Sequence, residues 1–205
     1  MGRTYRRRIE IALLVLAATG VVCTLGILAY LAQLHAMASA LVTSAYEIRT
    51  KADADIAIAA WRKRFGKDFW KESDHPGGEH NYDAQIANLG LARFHIVQPT
   101  GVTVGITMRN GQLWSVAVIE STGWYPVASV WVQEWFDDKI PKRIRVLGHR
   151  RPYAAWVEFP DSLLENERKK AFALNTKCLV SLRICKTEEE ILPGISQMES
   201  VATPD

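Results

Sequence analysis

The stretch that decides the fold is Val102–Ile119, VTVGITMRNGQLWSVAVI. In its first half, apolar residues alternate with threonine and glycine, which is the period of a strand with one buried face. Asn110-Gly111 follows, and both residues tolerate the positive φ that a two-residue hairpin turn requires. Leu113–Ile119 then predicts the returning strand. The stretch therefore predicts a β-hairpin.

Further extended runs lie on both sides of this hairpin, separated by clusters of Gly, Pro or Asp. They are Ile86–Val97, Val127–Trp135, Arg143–Leu147 and Ala154–Phe159. Because no gap between them is long enough for a helix, consecutive strands should pair as an antiparallel meander. The sequence predicts helices on one face of this sheet.

Helical patterns precede and follow the strands. Residues 50–66 carry apolar positions at helical spacing and stop at Gly66, a typical helix terminator. A second helix is predicted over 162–174. A third begins at Thr187, where Thr187-x-x-Glu190 is a capping box, and stops at Pro193-Gly194.

The N-terminal region carries a candidate membrane span. Ile11–Ala32 is 22 residues without a charge, and at about 1.5 Å rise per residue such a helix covers the roughly 30 Å hydrocarbon thickness of a bilayer. Four arginines crowd the short tail before it, whereas the first Lys or Arg after it is Arg49. The positive-inside rule therefore predicts a cytoplasmic N-terminus and an exported C-terminal part.

A cleaved signal peptide is the alternative reading of this segment. Ala36-Met37-Ala38 and Ala38-Ser39-Ala40 both fit the small-x-small pattern of cleavage sites. The apolar run is longer than the roughly 7–15 residues of a signal peptide, which favours an uncleaved anchor.

These patterns divide the chain into five parts. Residues 1–10 form a cytoplasmic basic tail, 11–32 a transmembrane signal anchor, 33–49 a juxtamembrane helical stalk, 50–196 an exported domain and 197–205 a disordered tail. The predicted class is α+β: a transmembrane helix, a second helix, an antiparallel meander and C-terminal helices. The predicted location is a bacterial inner membrane, with the domain periplasmic or extracellular.

The charge distribution argues against nucleic acid as a partner. Four of the 25 basic residues and one of the 22 acidic residues precede residue 36, so the rest of the chain is formally neutral. The basic excess therefore belongs to the tail that sets topology, and the exported part has no basic surplus.

Cys178 and Cys185 lie in the exported part, where an oxidising compartment favours a disulfide. Residues seven apart on one helix sit about 10.5 Å apart along its axis, whereas a disulfide needs Cα atoms roughly 4.4–6.8 Å apart. The bond therefore requires the backbone to fold back between them. Two free buried thiols are the alternative, and a metal site is a third reading.

Two sets of residues are candidates for binding. His75, Glu79 and His80 are the compact group of metal-ligand types, but they lie in a loop-like, glycine-containing run that lacks the rigid geometry of a helical zinc motif. A basic patch could meet an anionic surface, or it could form the wet face of a strand. Its members are Lys142, Arg143, Arg145, Arg150 and Arg151.

Aromatic residues are frequent in the predicted strands, and we expect most of them to fill the core because aromatics are favoured in sheets. The alternative is a ligand groove or a partner surface. Trp124-Tyr125-Pro126, in a predicted turn, is the best exposed candidate.

The chain shows none of the local motifs of nucleophilic, zinc or nucleotide enzymes, which favours a non-enzymatic role without a cofactor. Small residues within the span, among them Gly20 and Gly26, are a weak indication of a homodimer. The alternative function is an envelope hydrolase or metal-dependent enzyme with a dispersed site.

The pattern Cys178-Leu179-x-x-Leu182-x-x-Cys185, with a capped helix after it, resembles the end of single-pass bacterial envelope proteins with an exported α+β domain. Trp61-x-x-x-Phe65-Gly66 before a meander is loosely similar to the small lipoproteins of the outer-membrane assembly machinery, although the lipidation site is missing here. The first resemblance implies no known activity, and the second implies a scaffold or interaction role. The expected partner is an envelope protein or an anionic envelope component.

Overall fold

The computed structural model describes residues 2–75, 78–123, 128–137, 144–147, 154–181 and 185–199. The helices are α1 (Gly2–Glu47), α2 (Lys51–Phe69), α3 (Leu89–Arg93), α4 (Glu165–Ala171), α5 (Glu188–Ile191) and α6 (Ile195–Glu199), with a 3-10 helix at Thr176–Val180. The strands are β1 (Trp70–His75), β2 (Glu79–Ala87), β3 (Thr100–Arg109), β4 (Gln112–Thr122), β5 (Ala128–Trp135), β6 (Arg145–Leu147) and β7 (Ala154–Pro160). The α+β class is confirmed.

The predicted hairpin is formed by β3 and β4. Asn110 and Gly111 occupy the turn with φ of 51° and 72°, the left-handed conformation that their sequence predicts. The register shifts between Thr107 and Met108, which places Trp114 in a β-bulge on the returning strand. This hairpin forms the centre of the sheet.

The sheet has seven strands in the order β1-β2-β3-β4-β5-β7-β6. The first five form an antiparallel meander, of which the sequence predicted β3, β4 and β5. Strand β7 pairs with β5 in parallel, and β6 pairs with the other side of β7 in antiparallel orientation. Strand β6 therefore lies at the edge of the sheet. The sheet is therefore mixed, and its last third differs from a pure meander.

The predicted strand Ile86–Val97 is wrong. The strand there is β2, which ends at Ala87, and α3 follows directly. Asn88 at this corner is fully buried, and its side chain bonds the carbonyls of Gln98 and Leu179 and the amide of Thr100. These bonds close the segment 89–99 into a projecting loop. Strand β1, at the start of the sheet, was not predicted.

Helix α1 connects the apolar span to the core of the domain without a break. Residues 9–30 are exposed around the helix apart from half-buried Ile27, and this region is long and apolar enough to cross a membrane. From Leu31 onward one face is buried against the domain, including Ala38 and Leu41. The segment 33–49 is therefore part of the folded unit, and its expected role as a separate stalk is wrong.

The second helix ends as its sequence predicts. The backbone leaves the helical conformation at Gly66, where φ is 64°. Between α1 and α2, the Asp53 carboxylate accepts bonds from the amides of Arg49 and Thr50 and from the Thr50 hydroxyl. These bonds lower the pKa of Asp53, with the Thr50 hydroxyl the largest contributor.

The C-terminal segment contains the predicted disulfide. Cys178 and Cys185 are bonded with their Cα atoms 5.6 Å apart, and the fold-back that this requires begins in the 3-10 helix, which ends at Val180. Helix α4 is shorter than the predicted 162–174, and α5 has Thr187 as its N-cap, accepting from the Glu190 amide.

The boundary of the predicted disordered tail is also corrected. Helix α6 continues to Glu199, and Met198 is buried in the core. Residues 197–199 therefore belong to the domain, whereas residues 200–205 lie outside the described part of the chain.

Candidate functional site

The two faces of the sheet differ in what covers them. On the core face, side chains such as Val104, Val118 and Val132 pack with residues of the helices. The described strand residues that point to the other face, here called the outer face, do not belong to this core. The outer face is therefore the surface of the sheet that the described helices leave uncovered.

Four tryptophans lie on the outer face in two pairs. Trp131 and Trp156 stack with ring centroids 5.1 Å apart and an interplanar angle of 18°. Trp114 and Trp135 meet edge to face, also at 5.1 Å. Both geometries are favourable for aromatic rings. The expectation that the strand aromatics fill the core is wrong for these four residues.

A polar row crosses the sheet between the two tryptophan pairs. Gln133 lies between Trp131 and Trp135 on β5, its ladder partner on β7 is Glu158, and its partner on β4 is Ala117. Gln133 and Glu158 form the polar row, and both, like Ala117 beside them, are less than one-tenth exposed. Alternate residues on one face of a strand are about 6.6 Å apart. Each tryptophan pair therefore lies about that distance from the polar row, measured along β5.

The Gln133 side chain is held in place by its neighbour on β4. Its Nε2 donates to the hydroxyl of Ser115 at 3.1 Å, and Ser115 is 1% exposed. The amide is thus fixed in the sheet rather than free to rotate. The polar row presents an oriented surface.

One corner of the outer face combines charge with unpartnered polar atoms. The guanidinium of Arg109 lies 5.0 Å from the ring centroid of Trp114 and 3.5 Å from the Glu79 carboxylate. Among the described residues, the buried indole nitrogens of Trp114 and Trp135 have no hydrogen-bond partner. Buried polar groups are normally paired, so these two indole nitrogens are exceptions to that rule.

Only one member of the predicted basic patch lies in the described chain. Arg145 is exposed on β6 and is the ladder partner of Glu158, with Ile144 before it buried. This alternation fits the wet face of a strand. Lys142, Arg143, Arg150 and Arg151 lie outside the described residues, as does the turn Trp124-Tyr125-Pro126.

The candidate metal residues lie at the β1–β2 hairpin. His75 is the ladder partner of Glu79, and its side chain is outside the described part. Glu79 and His80 are consecutive in β2, so their side chains leave the sheet on opposite faces. No group of three metal-ligand side chains occurs among the described residues, and a metal site that includes His75 stays a prediction.

A groove of about 290 Å³ lies between the end of α1 and α2. Its lining is mostly apolar, with Leu41, Ile56 and Trp61 among its residues. Its aspartate, Asp53, is already occupied by the bonds at the α1–α2 junction, and the Trp61 indole donates to Ser44. Glu47 and Arg64 also line the groove, and both are exposed.

Glu120 is the most perturbed carboxyl group of the described chain. It lies on the core face of β4 between Val102 and Val130, is fully buried, and has no hydrogen-bond partner among the described residues. Burial raises its pKa to about 8. Because the carboxyl has no access to solvent, this arrangement does not form a catalytic site for an external substrate.

Comparison of the chain with protein-family profiles, curated proteins and solved structures found no match. The resemblances at Cys178–Cys185 and Trp61–Gly66 therefore assign no family. The outer face carries four of the strand tryptophans for which the sequence left a ligand groove or partner surface as the alternative, and it is the surface with the most distinctive chemistry.

Proposed function

We propose that the chain is a single-pass anchored binding module of a bacterial inner membrane. Its N-terminus lies in the cytoplasm, and its α+β domain lies in the periplasm or outside the cell. The domain binds an envelope protein through the outer face of the sheet. The observation that carries the proposal is the unbroken α1, whose exposed apolar half leads into a half buried in the domain.

The packing of α1 supports a permanent anchor over a cleaved signal. Cleavage after Ala38 or Ala40 would remove Leu34 and Ala38 from the core. Cleavage after Ala40 would also remove Ser39, whose hydroxyl bonds the Thr176 hydroxyl at 2.9 Å. Deleting buried apolar side chains typically costs 2–5 kcal/mol each, so the domain is better suited to keeping the helix.

The composition of the outer face supports a protein partner. Tryptophan and arginine are enriched at the energetic centres of protein interfaces, and this face combines two tryptophan pairs with Arg109 and Arg145. Trp131 is 38% exposed, so its ring is available to a partner.

Site-specific photocrosslinking in the native host tests the binding proposal. A photoreactive phenylalanine replaces Trp131, and the matched control replaces Ile56, an exposed apolar residue of α2. The expected result is one dominant protein adduct from position 131 and none from position 56. A polysaccharide or lipid adduct at 131, or the same adducts at both positions, would contradict the protein partner.

A reporter that is active only outside the cytoplasm, fused after Asp205, tests orientation separately. Activity supports the proposed topology. A silent reporter on a stable fusion would reverse it.

A further inference from the structure

We infer that the α3 loop, residues 89–99, inserts Leu89 and Phe94 into the lipid leaflet that lies beside the outer end of the membrane span. The inference rests on the proposed membrane anchor. It adds a second contact with the bilayer, made by the domain itself, and it commits to phospholipid as the occupant of this surface.

The α3 loop has a defined position along α1. A β-carbon placed on Gly90 would lie 3.7 Å from the hydroxyl oxygen of Tyr30. Tyr30 is exposed and directly precedes Leu31, the first buried residue of α1 from residue 9 onward. Tyrosine is enriched where spans meet the headgroup region. The loop therefore lies at the level where the helix leaves the bilayer.

The α3 loop exposes large apolar side chains beside basic ones. Phe94 is 77% exposed and Leu89 is 53% exposed, which are high values for large apolar side chains of a folded domain. Arg93 and His95, on either side of Phe94, are also exposed. The segment 88–100 contains no Asp or Glu. Apolar side chains flanked by basic groups are typical of an interfacial membrane contact.

The α3 loop is held in place at both ends. The buried side chain of Asn88 bonds the carbonyl of Gln98 and the amide of Thr100, which fixes both ends of the loop. Its bond to the Leu179 carbonyl ties the same corner to the 3-10 helix held by the disulfide. The exposed apolar side chains are therefore displayed by a fixed framework, so their ordering costs little when they bind.

Two other exposed apolar residues of the domain belong to elements that are attached to α1 far from Tyr30. Ile56 is 69% exposed and Leu164 is 67% exposed. Ile56 belongs to α2, which bonds α1 at Ser44, and Leu164 precedes α4, which bonds α1 at Tyr46. At about 1.5 Å per residue, these attachment points lie roughly 21 Å and 24 Å beyond Tyr30 along the helix. Ile56 and Leu164 are therefore matched controls that lie outside the bilayer.

The test uses the full chain in vesicles of phosphatidylcholine with phosphatidylglycerol. Single cysteines at Leu89→Cys, Phe94→Cys, Ile56→Cys and Leu164→Cys are made in a Cys23→Ser background, which leaves the Cys178–Cys185 bond intact. Each carries an environment-sensitive fluorophore, and nitroxide-bearing lipids act as quenchers. A fifth sample carries the fluorophore on the native Cys23 within the span.

We expect quenching at positions 89 and 94 to exceed that at 56 and 164 several-fold. Equal quenching at all four positions would overturn the inference, provided that Cys23 is quenched, and the anchor would then stand alone. An unquenched Cys23 would instead contradict the anchor itself. Neutral phosphatidylcholine vesicles form a second arm, in which loss of quenching at 94 would contradict apolar insertion.

Discussion

The guanidinium of Arg168 donates two hydrogen bonds of 2.6 Å to the carboxylate of Glu134, and both side chains are fully buried. The same guanidinium bonds the backbone carbonyls of Tyr46 and Ile48 at the end of α1. A cation is favourable at a helix C-terminus. Burial raises the pKa of Glu134, and the bonds from Arg168 oppose that rise. This pair fastens the long α1 to α4 and β5.

Arg168→Met should destabilise the domain by roughly 3–5 kcal/mol, because it leaves the Glu134 carboxylate buried without its partner. Lys170→Met on the same helix is the control, since an exposed substitution typically changes stability by less than about 0.5 kcal/mol. Urea unfolding in detergent, followed by tryptophan fluorescence, measures both. Equal midpoints for the two variants would contradict the role of the pair.

The stability of the domain should fall as pH rises from 4.5 toward 8, because Glu120 keeps its proton in the folded state up to about pH 8 and loses it near 4.5 when unfolded. The loss is on the order of a few kcal/mol. Glu120→Gln removes this titration, so its unfolding midpoint should depend much less on pH. The check is urea unfolding at pH 5 and pH 8.5, and an unchanged pH dependence in the variant would refute the assignment.

Asn88→Ala should cost about 2–4 kcal/mol, since three buried bonds are lost at once. Asn175→Ala is a graded control, because the side chain of Asn175 donates one bond, to the Glu190 carbonyl at 3.0 Å. Hydrogen exchange should rise selectively in residues 89–99 of the Asn88 variant. Unchanged exchange in that loop would show that Asn88 does not hold it.

The native domain should gain two protons in mass on reduction, as expected for the Cys178–Cys185 bond. Replacing both cysteines by serine should cost roughly 2–3 kcal/mol, a modest amount because the closed loop is short. Exchange should increase first in the 3-10 helix Thr176–Val180. Alkylation of all three cysteines without reductant would contradict the bond.

The hairpin and the disulfide were predictable because each depends on local chemistry. Alternation around Asn110-Gly111 determines strand and turn within 18 residues, and the seven-residue separation of Cys178 and Cys185 demands a fold-back. The error at Ile86–Val97 has a non-local cause. Asn88 lies at the corner that follows β2, and one of its three side-chain bonds goes to Leu179, a residue 91 positions away. No pattern within the strand records that partner.

The parallel pairing of β5 with β7 and the exposure of the tryptophans were also beyond local patterns. On β5, one face reads Val130, Val132 and Glu134, and the other reads Trp131, Gln133 and Trp135. Hydrophobicity favours the tryptophan side as the core. The structure buries the other side, where Val132 lies opposite the core residue Val118 of β4 and Arg168, from a later helix, pairs with Glu134.

The intact mass of the mature chain in washed membranes tests the central claim, that one continuous helix joins the bilayer to the core of the domain. Membranes from the native host are washed at alkaline pH, and the protein is analysed without proteolysis. The expected result is a chain that stays in the membrane fraction and whose mass includes residues 11–40. A soluble chain that begins after Ala38 or Ala40 would contradict it.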